Sequence, residues 1–135
     1  MKKGIVLGMV VVAALLVGAV SALAQGEEMA ATVSLGGNDE LGEFLVGAEG
    51  MTLYLFTNDE PGVSNCAGQC AENWPPLLVG EDERPTLAAG IPGRLGVITR
   101  EDGGRQVTYN GTPLYYWIND AAPGDATGQG DIGRA

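Results

Sequence analysis

Apolar residues after position 30 occur in short runs that Gly, Pro, Asn and acidic residues interrupt. Runs of this length, rich in β-branched and aromatic residues, predict strands instead of helices. The predicted strands are 33–35, 44–46, 52–57, 95–100, 105–109 and 112–118. We therefore expect a mainly β protein, and its 22 Gly and 7 Pro residues favour a fold with many turns.

Turn chemistry joins the last three predicted strands into an antiparallel meander. Residues 101–104 (Glu-Asp-Gly-Gly) form the first predicted turn. Asn110-Gly111 forms a two-residue hairpin turn, because both residues tolerate positive φ. Two loops are also predicted: 61–76, with a short helical turn near Cys66–Trp74, and 119–135.

The chain contains an internal repeat with an offset of 61 residues. Residues 50–59 (GMTLYLFTND) and 111–120 (GTPLYYWIND) share Leu-Tyr, a large aromatic residue two positions later, and Asn-Asp. Self-similarity of this kind indicates a repeat architecture. We expect two β-rich pseudo-repeats, about 41–90 and 91–135, that pack together as one domain, because one half alone buries too little surface.

Each repeat places aromatic side chains at alternate strand positions. Tyr54 and Phe56 share one strand face, and Tyr115 and Trp117 share another, since positions i and i+2 point the same way. Apolar residues also occupy the opposite faces. This pattern predicts central strands that are covered on both sides.

Asp59 and Asp120 follow the two strands at equivalent positions. Aspartate accepts hydrogen bonds from nearby backbone N–H groups, so we expect both residues to stabilise turns. A pseudo-two-fold axis would also allow the two carboxylates to meet, as in the dyad of aspartic proteases. Neither Asp precedes the Thr/Ser-Gly usual in that dyad, and the sequence favours the turn role.

The first 24 residues have the layout of a secretory signal peptide. Lys2 and Lys3 precede an uncharged apolar run, which ends at the small-x-small site Ala22-Leu23-Ala24. The run is long enough to span a bilayer, so an uncleaved anchor is the alternative. We expect residues 25–40 to contain an N-terminal tail and the first strand of an exported chain, secreted or periplasmic.

Charge and composition exclude several classes of function. The net charge is -10, which argues against nucleic acids and anionic membrane surfaces as partners. The absence of His excludes His-based triads, zinc clusters and haem ligands. Carboxylate-based hydrolysis is conceivable, but no spacing identifies a catalytic pair. We expect no enzymatic activity, and no membrane contact after cleavage.

Cys66 and Cys70 are the only cysteines. Export brings the chain into an oxidising compartment, so a disulfide is the expected state. One helical turn places Cα atoms at this spacing about 6 Å apart, which a disulfide can bridge. A redox-active pair and a metal site are the alternatives. Neither the C-x-x-C motif nor a local Lys or His supports the redox pair, and two cysteines alone do not complete a metal site.

Acidic side chains near the C-terminus are weak candidates for metal ligands. Asp120, Asp125 and Asp131 lie in a Gly-rich segment, and calcium or another divalent cation prefers such oxygen ligands. Their spacing does not fit an EF-hand loop, and a solvated acidic terminus explains them as well. Our expectation is that no cofactor is bound, with calcium as the alternative.

Several spaced motifs resemble a bacterial family of secreted and lipoprotein repeats, Lipoprotein_15. Its Y-x-(F/W/Y)-x-x-D motif is similar to two segments, Tyr54-x-Phe56-x-x-Asp59 and Tyr115-x-Trp117-x-x-Asp120. The loop Cys66-Ala-Gly-Gln-Cys70, followed by Trp74-Pro75-Pro76, also resembles the family pattern. The resemblance covers about 41–130.

The resemblance implies an extracytoplasmic location, tandem repeats and no established activity. Two departures matter: the chain lacks the cysteine to which a lipid anchor is attached, and it ends at 131–135 where members continue into a further strand. We therefore expect an open sheet edge that invites strand addition.

Two hypotheses for the function follow from the sequence. The first is a cell-envelope module with a structural or protein-binding role, whose partner is an unknown envelope protein. The alternative is an extracytoplasmic metal-binding or redox (electron-transfer) protein.

Overall fold

A computed structural model describes residues 31–47 and 49–130. The predicted signal peptide 1–24 and the candidate metal ligand Asp131 lie outside the described residues, as does most of the predicted N-terminal tail.

The described residues form seven strands and one short helix. The strands are β1 (Val33–Asn38), β2 (Gly42–Gly47), β3 (Tyr54–Leu55), β4 (Leu78–Val79), β5 (Leu95–Thr99), β6 (Arg105–Tyr109) and β7 (Thr112–Tyr115). The helix, α1 (Gln69–Asn73), begins one residue before Cys70. The protein is therefore mainly β, with the predicted helical turn in the cysteine loop.

All strand pairs are antiparallel. β1 and β2 form a two-stranded sheet, while β3, β7, β6 and β4 follow one another in a five-stranded sheet in which β5 also pairs with β6. The predicted hairpin turn between β6 and β7 is confirmed, since both of its residues have positive φ (50° for Asn110 and 86° for Gly111). Antiparallel pairing of strands close in sequence is what short turns allow.

The two repeats have corresponding hairpins. β5 pairs with β6 in the second repeat, and β1 pairs with β2 at the corresponding place in the first, so the first repeat begins before its predicted bound of about residue 41. The third strands of the repeats, β3 and β7, pair with each other, with Tyr54 opposite Tyr115. The pseudo-two-fold axis that relates the repeats therefore passes between these two tyrosines.

The main apolar core lies between the repeats. It contains five buried side chains from both halves: Val33, Leu53, Leu77, Val107 and Leu114. A second cluster contains Cys66, Cys70 and Tyr115, with Phe56 and Trp74 packed against it. Each repeat therefore supplies apolar area that the other covers, which a half-sized unit needs.

The predicted coverage of both strand faces is confirmed for β7 and wrong for β3. Leu114 and Tyr115 are each 1% exposed, whereas Leu55 is 58% exposed. β7 lies between β3 and β6, but β3 ends the strand order of its sheet. The sequence pattern of the two strands is the same, and the difference comes from their neighbours.

The predicted strands 52–57 and 112–118 are longer than the observed β3 and β7, and the pattern missed β4. Thr52 makes only an isolated bridge to Val46, and Tyr115 makes one to Pro76. Within the described residues, the chain has no helix that is long and apolar enough to cross a membrane.

Candidate functional site

The two motif tyrosines each bind the motif aspartate of the other repeat. The Tyr54 hydroxyl donates to Asp120 Oδ2 at 2.6 Å, and the Tyr115 hydroxyl donates to Asp59 Oδ2, also at 2.6 Å. Because Tyr54 and Tyr115 are directly opposite each other in the sheet, the two hydrogen bonds are related by the pseudo-two-fold axis. We call this arrangement the reciprocal Tyr–Asp pairs.

Each aspartate also organises the loop that follows it. Asp59 Oδ1 accepts the Asn65 N–H at 2.6 Å. Asp120 Oδ1 accepts both the N–H and the hydroxyl of Thr127, at 2.9 and 2.7 Å. As predicted, both carboxylates accept hydrogen bonds from backbone N–H groups. The donors are six and seven residues further along the chain, so each carboxylate joins the two ends of a loop instead of stabilising a tight turn.

The two carboxylates do not form a protease-like dyad. Oδ2 of Asp59 is occupied by Tyr115 and Oδ2 of Asp120 by Tyr54, and no hydrogen bond of the described residues joins one carboxylate to the other. A dyad requires two acids that share a proton.

Each loop lies against the opposite repeat. The loop 59–66, which we call the first Asp loop, donates the Gly62 N–H to the Gly111 carbonyl at 2.8 Å. The loop 120–128, the second Asp loop, accepts the Thr52 hydroxyl at Asp125 O and the Asn38 amide at Gly124 O. The repeats are therefore joined by polar contacts at both ends of the shared core.

Burial raises the pKa of the motif tyrosines. Desolvation is the main cause for Tyr54, and its hydrogen bond to Asp120 raises the pKa further. The same two causes, with Asp59 as the partner, raise the pKa of Tyr115. Both phenols therefore stay protonated donors at neutral pH, and neither is suited to act as a base.

The predicted disulfide is present. Cys66 and Cys70 are bonded, with their Cα atoms 5.2 Å apart, and the residues are 1% and 8% exposed. A redox-active disulfide has to be reached by a partner thiol. This disulfide is buried in the second apolar cluster, with Tyr115 and Trp74.

A buried arginine holds the cysteine loop against β6. Arg100 donates from Nη2 to the Cys66 carbonyl at 2.6 Å and from Nη1 to Gln106 Oε1 and Ser64 Oγ. Ser64 Oγ also lies 2.6 Å from the Tyr115 hydroxyl. Since Tyr115 donates to Asp59, a continuous polar network runs from that carboxylate to the guanidinium.

The guanidinium of Arg100 is nearly fully enclosed. Its Nε lies 3.6 Å from Asp102 Oδ2 and has no hydrogen-bond partner within the described residues. Burial of a cation costs free energy unless it is paired and hydrogen-bonded. The contacts to Cys66, Gln106 and Ser64 meet most of that requirement. Arg100 also lines a cavity of about 720 Å³, together with Ser64 and Cys66.

The remaining motif residues form an aromatic cluster. Trp74 lies with its ring centroid 4.2 Å from that of Trp117 and 5.3 Å from that of Tyr54, the latter edge to face. Phe56 packs edge to face on Tyr115. Pro75 accepts the Tyr116 N–H at its carbonyl, which fixes the chain after Trp74 along β7.

The candidate metal ligands within the described residues have other partners. Asp120 is bound by Tyr54 and Thr127, while Asp125 Oδ2 accepts the N–H groups of Ala121 and Ala122 at 2.9 and 3.0 Å. No group of three or more Cys, Asp or Glu residues there is arranged to hold a metal ion. The observed contacts of both residues are those of turn-forming acids.

Sequence reasoning did not identify Arg100, Gln106 or Gly128 as part of this site. A Cβ on Gly128 would lie 2.7 Å from Trp74 and 2.9 Å from Trp117, and its N–H donates to the Tyr54 hydroxyl at 3.2 Å. In the sequence these are one Arg at the end of a predicted strand, one Gln in a strand and one of 22 Gly. The repeat gives no signal for Gly128 either, because the residue at an offset of 61 is Ala67.

The arrangement is suited to holding two repeats together. Its acids accept hydrogen bonds from the phenols, from backbone N–H groups and from the Thr127 hydroxyl. What the motif offers chemically is directional hydrogen bonding at a buried interface, where such bonds are stronger than in water.

Comparison with known proteins agrees with this geometry. The profile of Lipoprotein_15, described as a secreted repeat of unknown function, matches residues 37–78 and 96–133. No curated protein and no solved structure matches the chain significantly. Each of the two matched regions contains one motif Tyr and one motif Asp of the reciprocal Tyr–Asp pairs, and the chain belongs to the Lipoprotein_15 family of secreted repeats.

Proposed function

We propose that the protein is an exported cell-envelope module with a structural or protein-binding role, without catalytic activity and without a bound cofactor. The observation that carries the proposal is the pair of reciprocal Tyr–Asp contacts. They use the polar groups of the family motif to join the repeats, so the motif is explained by the fold alone.

Secretion of the family supports the exported location. In the same proposal the apolar segment before residue 25 acts as a cleaved signal peptide, and the mature protein is released from the membrane. The buried disulfide suits an oxidising compartment, where it stabilises a small domain. No observation within the described residues favours the metal-binding or redox alternative.

Isosteric variants of the motif acids test whether these residues have a catalytic or a structural role. Asp59→Asn and Asp120→Asn retain an oxygen acceptor and remove the charge. We expect the exported protein to show no hydrolytic or thiol-oxidising turnover, and we expect the variants to change stability only. Turnover that either variant abolishes while the circular dichroism spectrum is preserved would contradict the proposal.

Binding in the envelope is tested by photo-crosslinking in the producing bacterium. A photoreactive amino acid at exposed Leu35, Leu41 or Leu55 is expected to capture a specific envelope protein. Irradiated wild-type protein, which carries no photoreactive residue, is the control. If no exposed position gives a crosslinked band above the level of this control, the protein-binding role is wrong.

A further inference from the structure

The outer edge of β7 is covered by a segment of the first repeat. Leu77 donates its N–H to the Leu114 carbonyl at 3.0 Å, and the Pro75 carbonyl accepts the Tyr116 N–H at 2.7 Å. Asn73 O accepts from Ile118 in the same way. An extended segment with two prolines and a buried Leu thus pairs with this edge.

Within the described residues, the equivalent edge of β3 is covered by β2 only at its beginning, where Thr52 forms a bridge with Val46. Leu53 donates its N–H to Leu45 O, on the side away from β7, and the carbonyl of a strand residue points to the same side as its N–H. Within residues 31–47 and 49–130, no group donates to the Leu53 carbonyl or accepts the Thr57 N–H. Leu55, between them, is 58% exposed.

A cavity of about 230 Å³ lies beside this edge. It is lined by Leu41, Phe44, Leu53 and Gln129, among others. Leu77, which pairs with the equivalent edge in the second repeat, is only 6% exposed. Unpaired backbone groups on a strand edge, with a recess beside them that can take a side chain, are what strand addition requires.

Charge indicates the chemistry of the occupant. Residues 31–60 contain six Asp or Glu and no Lys or Arg. Glu43 belongs to β2, next to Phe44 of the cavity, and Asp59 and Glu60 follow β3. These negative charges attract an extended segment that bears Lys or Arg and repel an acidic segment.

We propose that the β3 edge, defined by Leu53, Leu55 and Thr57, accepts an extended, cationic and apolar segment of a partner protein as an added strand. The inference rests on the protein-binding role proposed above and names its site. Backbone pairing supplies affinity, the recess beside Phe44 and Leu53 takes one side chain, and the acids select basic flanks.

The probe is a peptide based on the segment that already pairs with β7. Its sequence is Lys-Asn-Trp-Pro-Pro-Leu-Leu-Val-Lys, capped at both ends, and it is titrated into exported full-length protein by isothermal calorimetry. A control peptide carries Glu at both ends and Asp at its first Leu. We expect saturable binding of the first peptide, weakened by salt, and at least about tenfold weaker binding of the control.

Matched protein variants locate the peptide. Leu55→Arg places a cation on the β3 edge, and Ile118→Arg places one on the second repeat, at a position that is equally exposed at 58%. We expect Leu55→Arg to weaken binding about tenfold and Ile118→Arg to change it less than about twofold. Hydrogen exchange is expected to show new protection at the Leu55 and Thr57 amides.

Three outcomes would overturn the proposal. They are no binding of the basic peptide, equal effects of the two variants, and dimerisation of the protein alone that Leu55→Arg abolishes, which would assign the edge to a second copy. Crosslinking to an envelope protein through other positions would still support the proposed function, so the two failures are distinguishable.

Discussion

At the scale of single residues, two phenolic hydroxyls connect the repeats. The Tyr54 hydroxyl donates to Asp120 and accepts the Gly128 N–H. One buried oxygen therefore provides the hydrogen-bond partner of both a carboxylate and a backbone N–H. The Tyr115 oxygen binds Asp59 and lies 2.6 Å from the Ser64 hydroxyl, and both of these residues are half-buried. Removal of the Tyr54 oxygen therefore leaves buried polar groups without a partner.

Tyr54→Phe is expected to lower the free energy of unfolding by about 1–3 kcal/mol, because a buried carboxylate oxygen and an N–H lose their partner. Tyr116→Phe is the matched control, since its hydroxyl makes no hydrogen bond within the described residues. It should change the free energy by less than about 0.5 kcal/mol. Urea denaturation followed by circular dichroism measures both, and equal losses would argue against the role of the pair.

Stability is expected to fall at alkaline pH. The pKa values of Tyr54, Tyr115 and Tyr116 are raised in the folded state, mainly by burial, while unfolded tyrosine titrates near about pH 10. The folded state therefore holds more protons, and its stability is complete below about pH 10 and lost as the pH rises through the folded values.

Urea midpoints between about pH 8 and pH 11 measure this loss. The described residues contain no Lys and Arg does not titrate in this range, so tyrosine dominates the slope. Tyr54→Phe should flatten the curve. A midpoint that stays constant up to about pH 11 would contradict the assignment.

At the scale of elements, the second Asp loop depends on a glycine. Gly128 brings the loop backbone against Trp74 and Trp117, where a Cβ would approach ring atoms to 2.7 and 2.9 Å. This close approach allows the Gly128 N–H to reach the Tyr54 hydroxyl. This hydrogen bond fixes the position of the second Asp loop relative to β3.

Gly128→Ala is expected to destabilise the protein by about 1–3 kcal/mol, because both indole rings are held in the aromatic cluster and have to move. Gly80→Ala is the control, since its added Cβ would meet only Glu83 at 3.8 Å, and it should be close to neutral. Thermal denaturation of both variants is the measurement. A Gly128→Ala protein as stable as the control would show that the cluster is loosely packed.

The cysteine loop should depend moderately on its disulfide. Cys66→Ala combined with Cys70→Ala is expected to cost about 2 kcal/mol, because the closed loop is short and constrains few residues of the unfolded chain. Comparison of urea midpoints with oxidised wild type gives the value. In the wild type, the buried disulfide should resist a thiol reductant under native conditions, and rapid reduction there would indicate that the loop opens.

At the scale of the whole molecule, neither repeat has a core of its own. The main cluster takes Val33, Leu53 and Leu77 from one half and Val107 and Leu114 from the other. Both Asp loops also cross to the opposite half. These shared contacts predict that the repeats unfold as a single unit.

Unfolding monitored by tryptophan fluorescence and by far-UV circular dichroism should give one coincident transition. Trp74 belongs to the first repeat and Trp117 to the second, and their ring centroids are 4.2 Å apart, so fluorescence reports on both halves. The Gly80→Ala protein, which is expected to be close to neutral, should show the same single transition. Two separate transitions would show that the repeats are independent.

Much of the local structure was predictable. The hairpin at Asn110-Gly111, the disulfide and the repeat follow from turn chemistry, spacing and self-similarity within the chain. The short helix near Cys70 was also expected. β4 was not, because Leu78 and Val79 form a strand only through their contact with β6.

The sequence by itself determined the mainly β class, the two repeats and the positions of their motif residues, because periodicity and turn propensities are local properties. Only the tertiary structure decided that Tyr54 binds Asp120 while Tyr115 binds Asp59, and that Arg100 lies buried against the cysteine loop. It also left Leu55 exposed while Leu114 is covered. Such pairings depend on which strands are neighbours, and residues 50–59 and 111–120, being alike in pattern, carry no local signal that distinguishes a contact within a repeat from one between repeats.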